Sequence, residues 1–233
     1  GTARQGFSYH GVDQMKKMKA AELVLDFGLY PRNNVDEHNV KNLVDALAAG
    51  TELPPVIIDR KSKRVVDGFH RVRAHLRLFG DNAEIDVITK NYKNDAELFL
   101  DAMRYNASHG AKLDTCDRTH CVIIAERLSI PLDAVAGALH MPERNLGALR
   151  NDRTAQGPGG LAVALKRTNR HFAGLQLTKV QEEANRRSSG MNQVFYVNQI
   201  IDLIESKLLD TEDKKLLGRL RDLHGLLEGL LVS

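Results

Sequence analysis

The chain has 233 residues, of which 42% are hydrophobic and 27% are charged, as expected for a globular protein with one large or two small domains. No apolar run reaches the roughly 18 residues that span a bilayer, and no signal-peptide pattern opens the chain, so we expect a cytoplasmic protein that does not bind membranes. Two cysteines, Cys116 and Cys121, are too few for a disulfide scaffold or a four-cysteine metal site. The net charge of +3 does not by itself indicate a polyanion partner.

The first regular elements follow an apolar segment at residues 20–30 and the breaker cluster Tyr30-Pro31-Arg32-Asn33-Asn34. A helix is predicted from about Asp36 to Ala49, with Gly50 as its C-cap. Two strands follow at residues 54–59 and 64–67, and the turn between them favours pairing as a hairpin.

The second strand ends in Asp67-Gly68, and a basic amphipathic helix follows. Its predicted apolar face holds Phe69, Val72, Leu76 and Phe79, and its predicted polar face holds His70, Arg71, Arg73, His75 and Arg77. A glycine at a strand-to-helix turn lets backbone N–H groups approach an anion, which the helix N-terminus also favours. The pattern therefore indicates a phosphate site, although a solvated surface helix would have the same spacing.

With a strand predicted at Glu84 to Ile88 and a helix at about Asp95 to Ser108, the region from about residue 20 to 110 resembles the N-terminal domain of ParB proteins, in the ParB/sulfiredoxin superfamily. The segment DGFHRVRA is similar to the family's G-x-HR turn: Gly68 matches the family glycine, His70 and Arg71 the polar pair, and Arg73 the next basic residue. The resemblance implies that this turn holds the phosphates of a nucleotide, CTP or ATP. Sulfiredoxin's nucleophilic thiol would stand at Phe69, which argues against thiol reductase chemistry.

The family's E-N-x-x-R box is matched in part at the end of the helix that follows. Asn106 matches the amide that helps to hold a metal such as Mg²⁺, and His109 stands in place of the phosphate-binding arginine. Tyr105 stands where the acid would be, so the resemblance implies slow or absent nucleotide hydrolysis. As an alternative, the same residues form an ordinary helix C-cap. The nucleotide-binding residues predicted in this way are Arg32, Gly68, Phe69, His70, Arg71, Arg73, Asn106 and His109.

Residues 111–155 have the pattern of a helix-turn-helix. Helices are predicted at Arg118 to Leu128, Leu132 to Leu139 and Glu143 to Arg150, and Ala136 is the small residue that lets two of them cross closely. His140 occupies the turn position that is usually glycine. A generic three-helix packing unit is the alternative, but the ParB resemblance implies a DNA-binding unit here.

Residues 151–160 are predicted by composition to be a linker, and residues 161–187 a basic region that is helical in pieces. Residues 140–187 hold nine Lys or Arg against four Asp or Glu. Predicted DNA contacts are Arg144, Asn145 and Arg150 on the recognition helix and Lys166, Arg167 and Arg170 after the linker. Two amphipathic helices are predicted at residues 192–209 and 212–231, whose apolar stripes indicate either an internal core or the seam of a homodimer.

Together these patterns predict an α+β protein: an N-terminal extension at 1–19, a ParB/sulfiredoxin-like α/β nucleotide-binding domain at 20–110, an all-α helix-turn-helix at 111–155 and a helical C-terminal region at 156–233. The predicted function is nucleotide-coupled binding of double-stranded DNA, in partitioning or in transcriptional regulation of a mobile element. One alternative is an enzyme of the same fold, a small-molecule kinase with Asp67 as its base or a nuclease. Another is a repressor-like DNA binder whose nucleotide site is inactive.

Overall fold

The structure is a computed structural model that describes residues 15–108, 112–188, 191 and 193–232. The chain divides into two compact units, residues 1–189 and 190–233. It combines helices and strands, so the predicted α+β class is confirmed. No described helix is both long enough and apolar enough to cross a membrane.

The first unit is built on a four-stranded sheet of order β1-β4-β2-β3, formed by β1 (Met15–Lys19), β2 (Val56–Asp59), β3 (Val65–Asp67) and β4 (Glu84–Lys90). The central strands β2 and β4 run parallel, and β3 and β1 add antiparallel neighbours at the two edges. Every residue of β2 is buried, as expected for a strand covered on both faces. The predicted hairpin of β2 and β3 is confirmed.

Strand β1 places the last five residues of the predicted 1–19 extension in the sheet. Met15–Lys19 pairs along its whole length with β4. In its sequence, MKKMK, Met18 is half-buried and the other residues are exposed. The strand therefore has no apolar alternation that would predict it. Lysines are common on edge strands, where they discourage pairing with other chains.

Of the three helices of this region, α2 (Phe69–Phe79) and α3 (Asp95–Ser108) pack against the sheet, and α1 (Glu37–Ala48) packs against α2. Helix α1 begins as predicted, where the Asp36 carboxylate accepts hydrogen bonds from the N–H groups of the first turn, and ends before Gly50, whose φ is +82°. Two residues of α2 depart from the faces predicted for them. Phe79 is 56% exposed because the helix ends there, and His75 is buried, with its Nδ1 donating to the Arg71 carbonyl.

The predicted helix-turn-helix elements are present as α4 (Thr115–Arg127), α5 (Leu132–Leu139) and α6 (Glu143–Asp152). Between α5 and α6, His140 adopts a left-handed conformation with φ of +51°, which explains why glycine usually occupies this turn position. One apolar core holds Phe99 and Met103 of α3 together with Leu139 and Leu146 of α5 and α6. The core thus continues across the boundary predicted at residue 110, and the predicted domain limits stay predictions.

The linker predicted at residues 151–160 is wrong. Helix α6 continues to Asp152, and a two-stranded antiparallel sheet follows, formed by β5 (Thr154–Gln156) and β6 (Ala162–Ala164). Ala155 packs with Leu165 and Leu177 in a small separate core. Three-residue strands on both sides of a glycine-rich turn give too short a pattern to stand out from a linker composition. Helix α7 (Lys179–Arg187) ends the first unit.

The second unit contains α8 (Gln193–Glu205) and α9 (Lys214–Leu231), so both predicted C-terminal helices are confirmed. Neither helix has a buried residue. The apolar stripe of α8 remains open, with Val194 64% exposed and Ile204 52% exposed. In α9, Leu227 and Leu230 are likewise exposed. Within the described chain these stripes do not form a closed core, and the homodimer stays a prediction.

Candidate functional site

A cleft of about 540 Å³ opens beside the loop that joins the sheet to α1. A short 3-10 helix, Phe27–Leu29, begins this loop, and the Asp26 carboxylate caps it by accepting from the Gly28 N–H at 2.9 Å. The cleft is lined by Phe27, Tyr30, Arg32, Asn33, Asn34, Val35, Glu37, Arg73 and His120. Aromatic rings and cationic groups therefore meet on one concave surface, a composition suited to a ligand with both a ring and a negative charge.

One side of α4 holds the backbone of this loop. Side chains of α4 bond the backbone of the loop at three points, from the exposed Gly28 through the buried Pro31 to the half-buried Asn33. Arg127 Nη2 donates to the Gly28 carbonyl at 2.7 Å, Cys121 Sγ donates to the Pro31 carbonyl at 3.1 Å, and Asp117 Oδ1 accepts from the Asn33 N–H at 2.9 Å. These contacts join the wall of the cleft to the first helix of the predicted helix-turn-helix.

Arg32, predicted to bind nucleotide, lines the cleft and is also paired with α4. Its Nη1 lies 3.6 Å from Asp117 Oδ2, and the two side chains are only 11% and 12% exposed. Burial raises the pKa of Asp117, while the Asn33 N–H and the Arg32 guanidinium oppose that rise. A ligand anion in the cleft would therefore meet an arginine that already has a carboxylate neighbour.

Arg73 is the residue of α2 that reaches the cleft. Its Nη2 lies 2.8 Å from Glu37 Oε1, and Glu37 also lies 3.5 Å from Arg77. These side chains are between about one third and over one half exposed, so solvent screens the pairs and weakens them. An anion can therefore replace Glu37 as the partner of Arg73 at small cost.

His70 lies next to these groups but is not a cation. Its Nε2 accepts a hydrogen bond from the Asp36 N–H at 3.2 Å, which requires the neutral ring. Burial, and then the nearby Arg32 guanidinium, lower the pKa of His70. Its observed role is to hold the start of α1 against α2.

The turn at Gly68 is held by contacts within the protein. Arg71 donates to the carbonyls of Pro54 at 2.8 Å and Pro55 at 2.7 Å, and pairs with the Asp67 carboxylate. Phe69 is 3% exposed, and its ring stacks on Tyr30 with centroids 4.2 Å apart. The structure thus gives Arg71 and Phe69 structural contacts, and places Arg71 on the carboxylate that the enzyme alternative would use as a base.

Tyr105 and Asn106, the described residues of the predicted box at the end of α3, do not line the cleft. Asn106 is buried, and its amide donates to the Ala102 carbonyl at 2.9 Å. The Tyr105 hydroxyl accepts from Lys90 Nζ at 2.7 Å. His109 lies outside the described residues. In the described ranges, no group of three or more His, Cys, Asp and Glu side chains is arranged to hold a metal ion.

The predicted DNA contacts fall into two groups. Arg144 and Asn145 are exposed in the first turn of α6, and Arg167 is exposed after β6. Arg150 instead donates to both carboxylate oxygens of Glu126 on α4, at 2.9 and 2.8 Å. Lys166 is 9% exposed, which argues against its predicted phosphate contact, and Arg170 lies 3.5 Å from Asp152.

With this geometry established, the chain can be compared with known proteins. No family model matches it. It is 26% identical over 147 residues to a Streptomyces griseus protein named as a possible regulatory protein of the streptomycin biosynthesis operon; the match covers 61% of this chain and 41% of the relative, so this chain spans less than half of the relative's length.

Solved structures that it matches include ParB proteins. A truncated ParB from Caulobacter crescentus in complex with the centromeric parS site is 14% identical, with a TM-score of 0.41, over 57% of this chain and 68% of that chain. The same protein with CTP-gamma-S is 14% identical, with a TM-score of 0.36, over 57% of this chain and 74% of that chain.

Of the residues that line the cleft, sequence reasoning selected only Arg32 and Arg73; Tyr30 as a binding group and His120 are among those that it missed. The Tyr30 hydroxyl is buried and, among the residues described, has no hydrogen-bond partner, and burial raises its pKa. His120 lies in the middle of α4, where no motif marks it. The spacing from Asp117 to His120 and Cys121 places these residues on one side of a helix, but only the folded loop shows what that side contacts.

We expect His120 to make the protein less stable in mild acid. Burial lowers the pKa of His120 to about 4, from an ordinary value of 6.5. Between these values the unfolded chain binds a proton that the folded chain does not, so the free energy of unfolding falls as the pH falls from about 6.5 to about 4. The full difference is at most about 3 kcal/mol, since one pKa unit corresponds to about 1.4 kcal/mol.

Urea unfolding at pH 7 and pH 4.5 measures this effect. The His120→Gln variant should lose less stability between the two pH values than the unaltered protein does. Equal losses in the two proteins would show that His120 titrates normally in the folded state.

Proposed function

We propose that this is a ParB-like protein that binds double-stranded DNA and couples that binding to a nucleotide, CTP or ATP, held in the cleft beside Arg32 and Arg73. The biological role that we propose is DNA partitioning or transcriptional regulation. The observation that carries the proposal is the position of α4, which contacts the cleft loop on one side and the predicted recognition helix α6 on another.

The chemistry of the cleft supports a nucleotide ligand. Arg32 and Arg73 suit phosphate oxygens, and the exposed pair of Arg73 with Glu37 leaves that cation accessible. The protein groups present therefore fit a phosphorylated ligand without a rearrangement of the sheet.

The exposed first turn of α6 supports DNA binding. In a helix-turn-helix, the N-terminal residues of the second helix enter the major groove. Arg144 pairs bidentately with guanine, and Asn145 with adenine, when such a helix presents them to base edges. Leu146 is fully buried beside them, so the same turn is fixed to the core by its opposite face.

Helix α4 offers a route for coupling. A phosphate that binds Arg32 competes with Asp117 for the guanidinium and so weakens one of the contacts between the loop and α4. On its other side, Glu126 of α4 is held by Arg150 of α6. A ligand shifts an equilibrium only by its differential affinity for two states, and this competition supplies such a difference.

Titration of the full chain with CTP and ATP, with and without duplex DNA, tests the proposal. We expect one of these nucleotides to bind, and its affinity to change when DNA is present. Arg144→Ala should reduce discrimination among DNA sequences by about 1 to 3 kcal/mol while nucleotide binding is kept.

Glu143→Ala is the matched control, because it changes the neighbouring exposed residue without removing a basic donor. The full chain must discriminate among duplexes for the proposal to stand. If it shows no specific binding to any duplex, the DNA-binding part of the proposal is wrong.

The exposed stripes of α8 and α9 support a homodimer formed through the second unit. Heptad-like leucine spacing of this kind packs against a second helix in coiled coils. The molar mass of the full chain in solution decides this point, since a monomer at all concentrations would contradict it.

A further inference from the structure

We infer that Phe27 is a stacking platform for the base of the ligand, so that the cleft selects nucleotides over phosphate compounds that lack a base. This inference rests on the proposed function, because it concerns the same cleft. It adds a specificity-determining residue that no sequence motif marked.

Phe27 is a large apolar side chain at the edge of a polar cleft, and it is 55% exposed. It contacts the stacked pair of Tyr30 and Phe69 nearly at right angles, with centroid distances of 6.2 and 5.8 Å and interplanar angles of 88° and 73°. In the part of the chain that the structure describes, no ring stacks in parallel on Phe27. A ring held by edge contacts keeps area available for a flat partner.

The backbone under Phe27 is fixed from two directions. Asp26 accepts from the Gly28 N–H at 2.9 Å, and Arg127 of α4 donates to the Gly28 carbonyl at 2.7 Å. Both polar groups of the residue after Phe27 are thus satisfied. An aromatic group held in position before binding loses little conformational freedom when a ligand arrives.

The other groups of the cleft explain why the partner is a base with an attached anion. Arg32 and Arg73 line the same concave surface as Phe27. A free aromatic compound would leave these cations unused, and a bare polyphosphate would leave the Phe27 ring in water. Base stacking on aromatic side chains is tolerant of base identity, since every base has a π face.

The chain has no tryptophan, which allows a direct optical test. Phe27→Trp places a single indole at the proposed platform, and Phe79→Trp places one at a phenylalanine of almost equal exposure, 56%, that does not line the cleft. CTP or ATP should quench the fluorescence of the Phe27→Trp protein and leave that of Phe79→Trp unchanged. Tripolyphosphate should quench neither.

Calorimetry on Phe27→Leu provides the second measurement. Removing the ring while keeping an apolar side chain should weaken nucleotide binding about 5-fold to 100-fold and leave tripolyphosphate binding unchanged. Phe79→Leu should change neither. Equal weakening of nucleotide and tripolyphosphate by Phe27→Leu would show that Phe27 only supports the loop and would overturn the inference.

The failure of this inference is distinguishable from the failure of the proposed function. If the unaltered protein binds CTP or ATP and the Phe27→Trp signal does not respond to the bound nucleotide, only the stacking role is wrong. If calorimetry finds no binding of either nucleotide by the unaltered protein, with or without DNA, the nucleotide part of the proposed function falls as well.

Discussion

Replacing Gly68 with alanine should lower the free energy of unfolding by about 2 to 5 kcal/mol. Gly68 has φ of +111°, a backbone conformation that costs an L-residue about 1 to 2 kcal/mol. A Cβ built there would lie 2.9 Å from Val56 Cγ2 and 3.0 Å from Arg71 Nη2. Moving Arg71 would disturb its bonds to Pro54 and Pro55, and overpacking adds about 1 to 3 kcal/mol.

Gly80→Ala is the matched control for this measurement. Gly80 also has a positive φ, +69°, but a Cβ there would meet nothing within 4 Å. The control should therefore show only the backbone cost, about 1 to 3 kcal/mol at φ of +69° and ψ of −160°, in chemical unfolding. If both variants lost the same stability, the close approach of Gly68 to Arg71 would have no energetic importance.

The second large effect is expected at Asp117. Asp117→Ala removes the acceptor of the half-buried Asn33 N–H, the ion-pair partner of Arg32 and one half of the capping box with Asp114. Loss of the acceptor for a partly buried donor, together with loss of the Arg32 ion pair, costs about 1 to 3 kcal/mol, whereas Asp114 keeps its own bond to the N–H of residue 117 and still caps the helix. The variant should also lose the dependence of nucleotide affinity on DNA.

Two further variants separate the causes. Asp117→Asn keeps a side-chain oxygen for the Asn33 N–H and removes only the charge, so it should cost less than Asp117→Ala. Glu126→Ala removes another carboxylate of α4, one that pairs with Arg150. The side chains of Glu126 and Arg150 are 47% and 41% exposed, so this variant should lose at most about 1 kcal/mol of unfolding free energy. If Glu126→Ala lost as much stability as Asp117→Ala, the contacts between the cleft loop and α4 would be no more important than an exposed ion pair.

The elements with strong local patterns could be predicted from the sequence. Helix α1 has a capping aspartate and a terminal glycine, and β2 begins with three consecutive β-branched residues, so local chemistry alone predicts both. The turn at Gly68 was predicted for the same reason, since few residues other than glycine adopt its backbone conformation.

The partners of the predicted site residues could not be predicted. Asp117 and Asn33 are 84 positions apart, and Cys121 and Pro31 are 90 apart. No periodicity in the sequence relates them, because their contact depends on how the helices pack. For the same reason Arg71, which looked like a phosphate ligand, proves to bond the backbone at Pro54 and Pro55.

The two thiols of α4 report on two contacts of that helix, one with the cleft loop and one with β6. Cys121 is fully buried under Pro31, whereas Cys116 is 5% exposed and lies 3.9 Å from the Ala164 carbonyl of β6. Burial raises the pKa of both thiols, to about 12 for Cys116, so a thiol reagent reacts only with molecules that have opened locally. The labelling rate of Cys121 therefore measures how often the cleft loop leaves α4, and that of Cys116 measures how often β6 does.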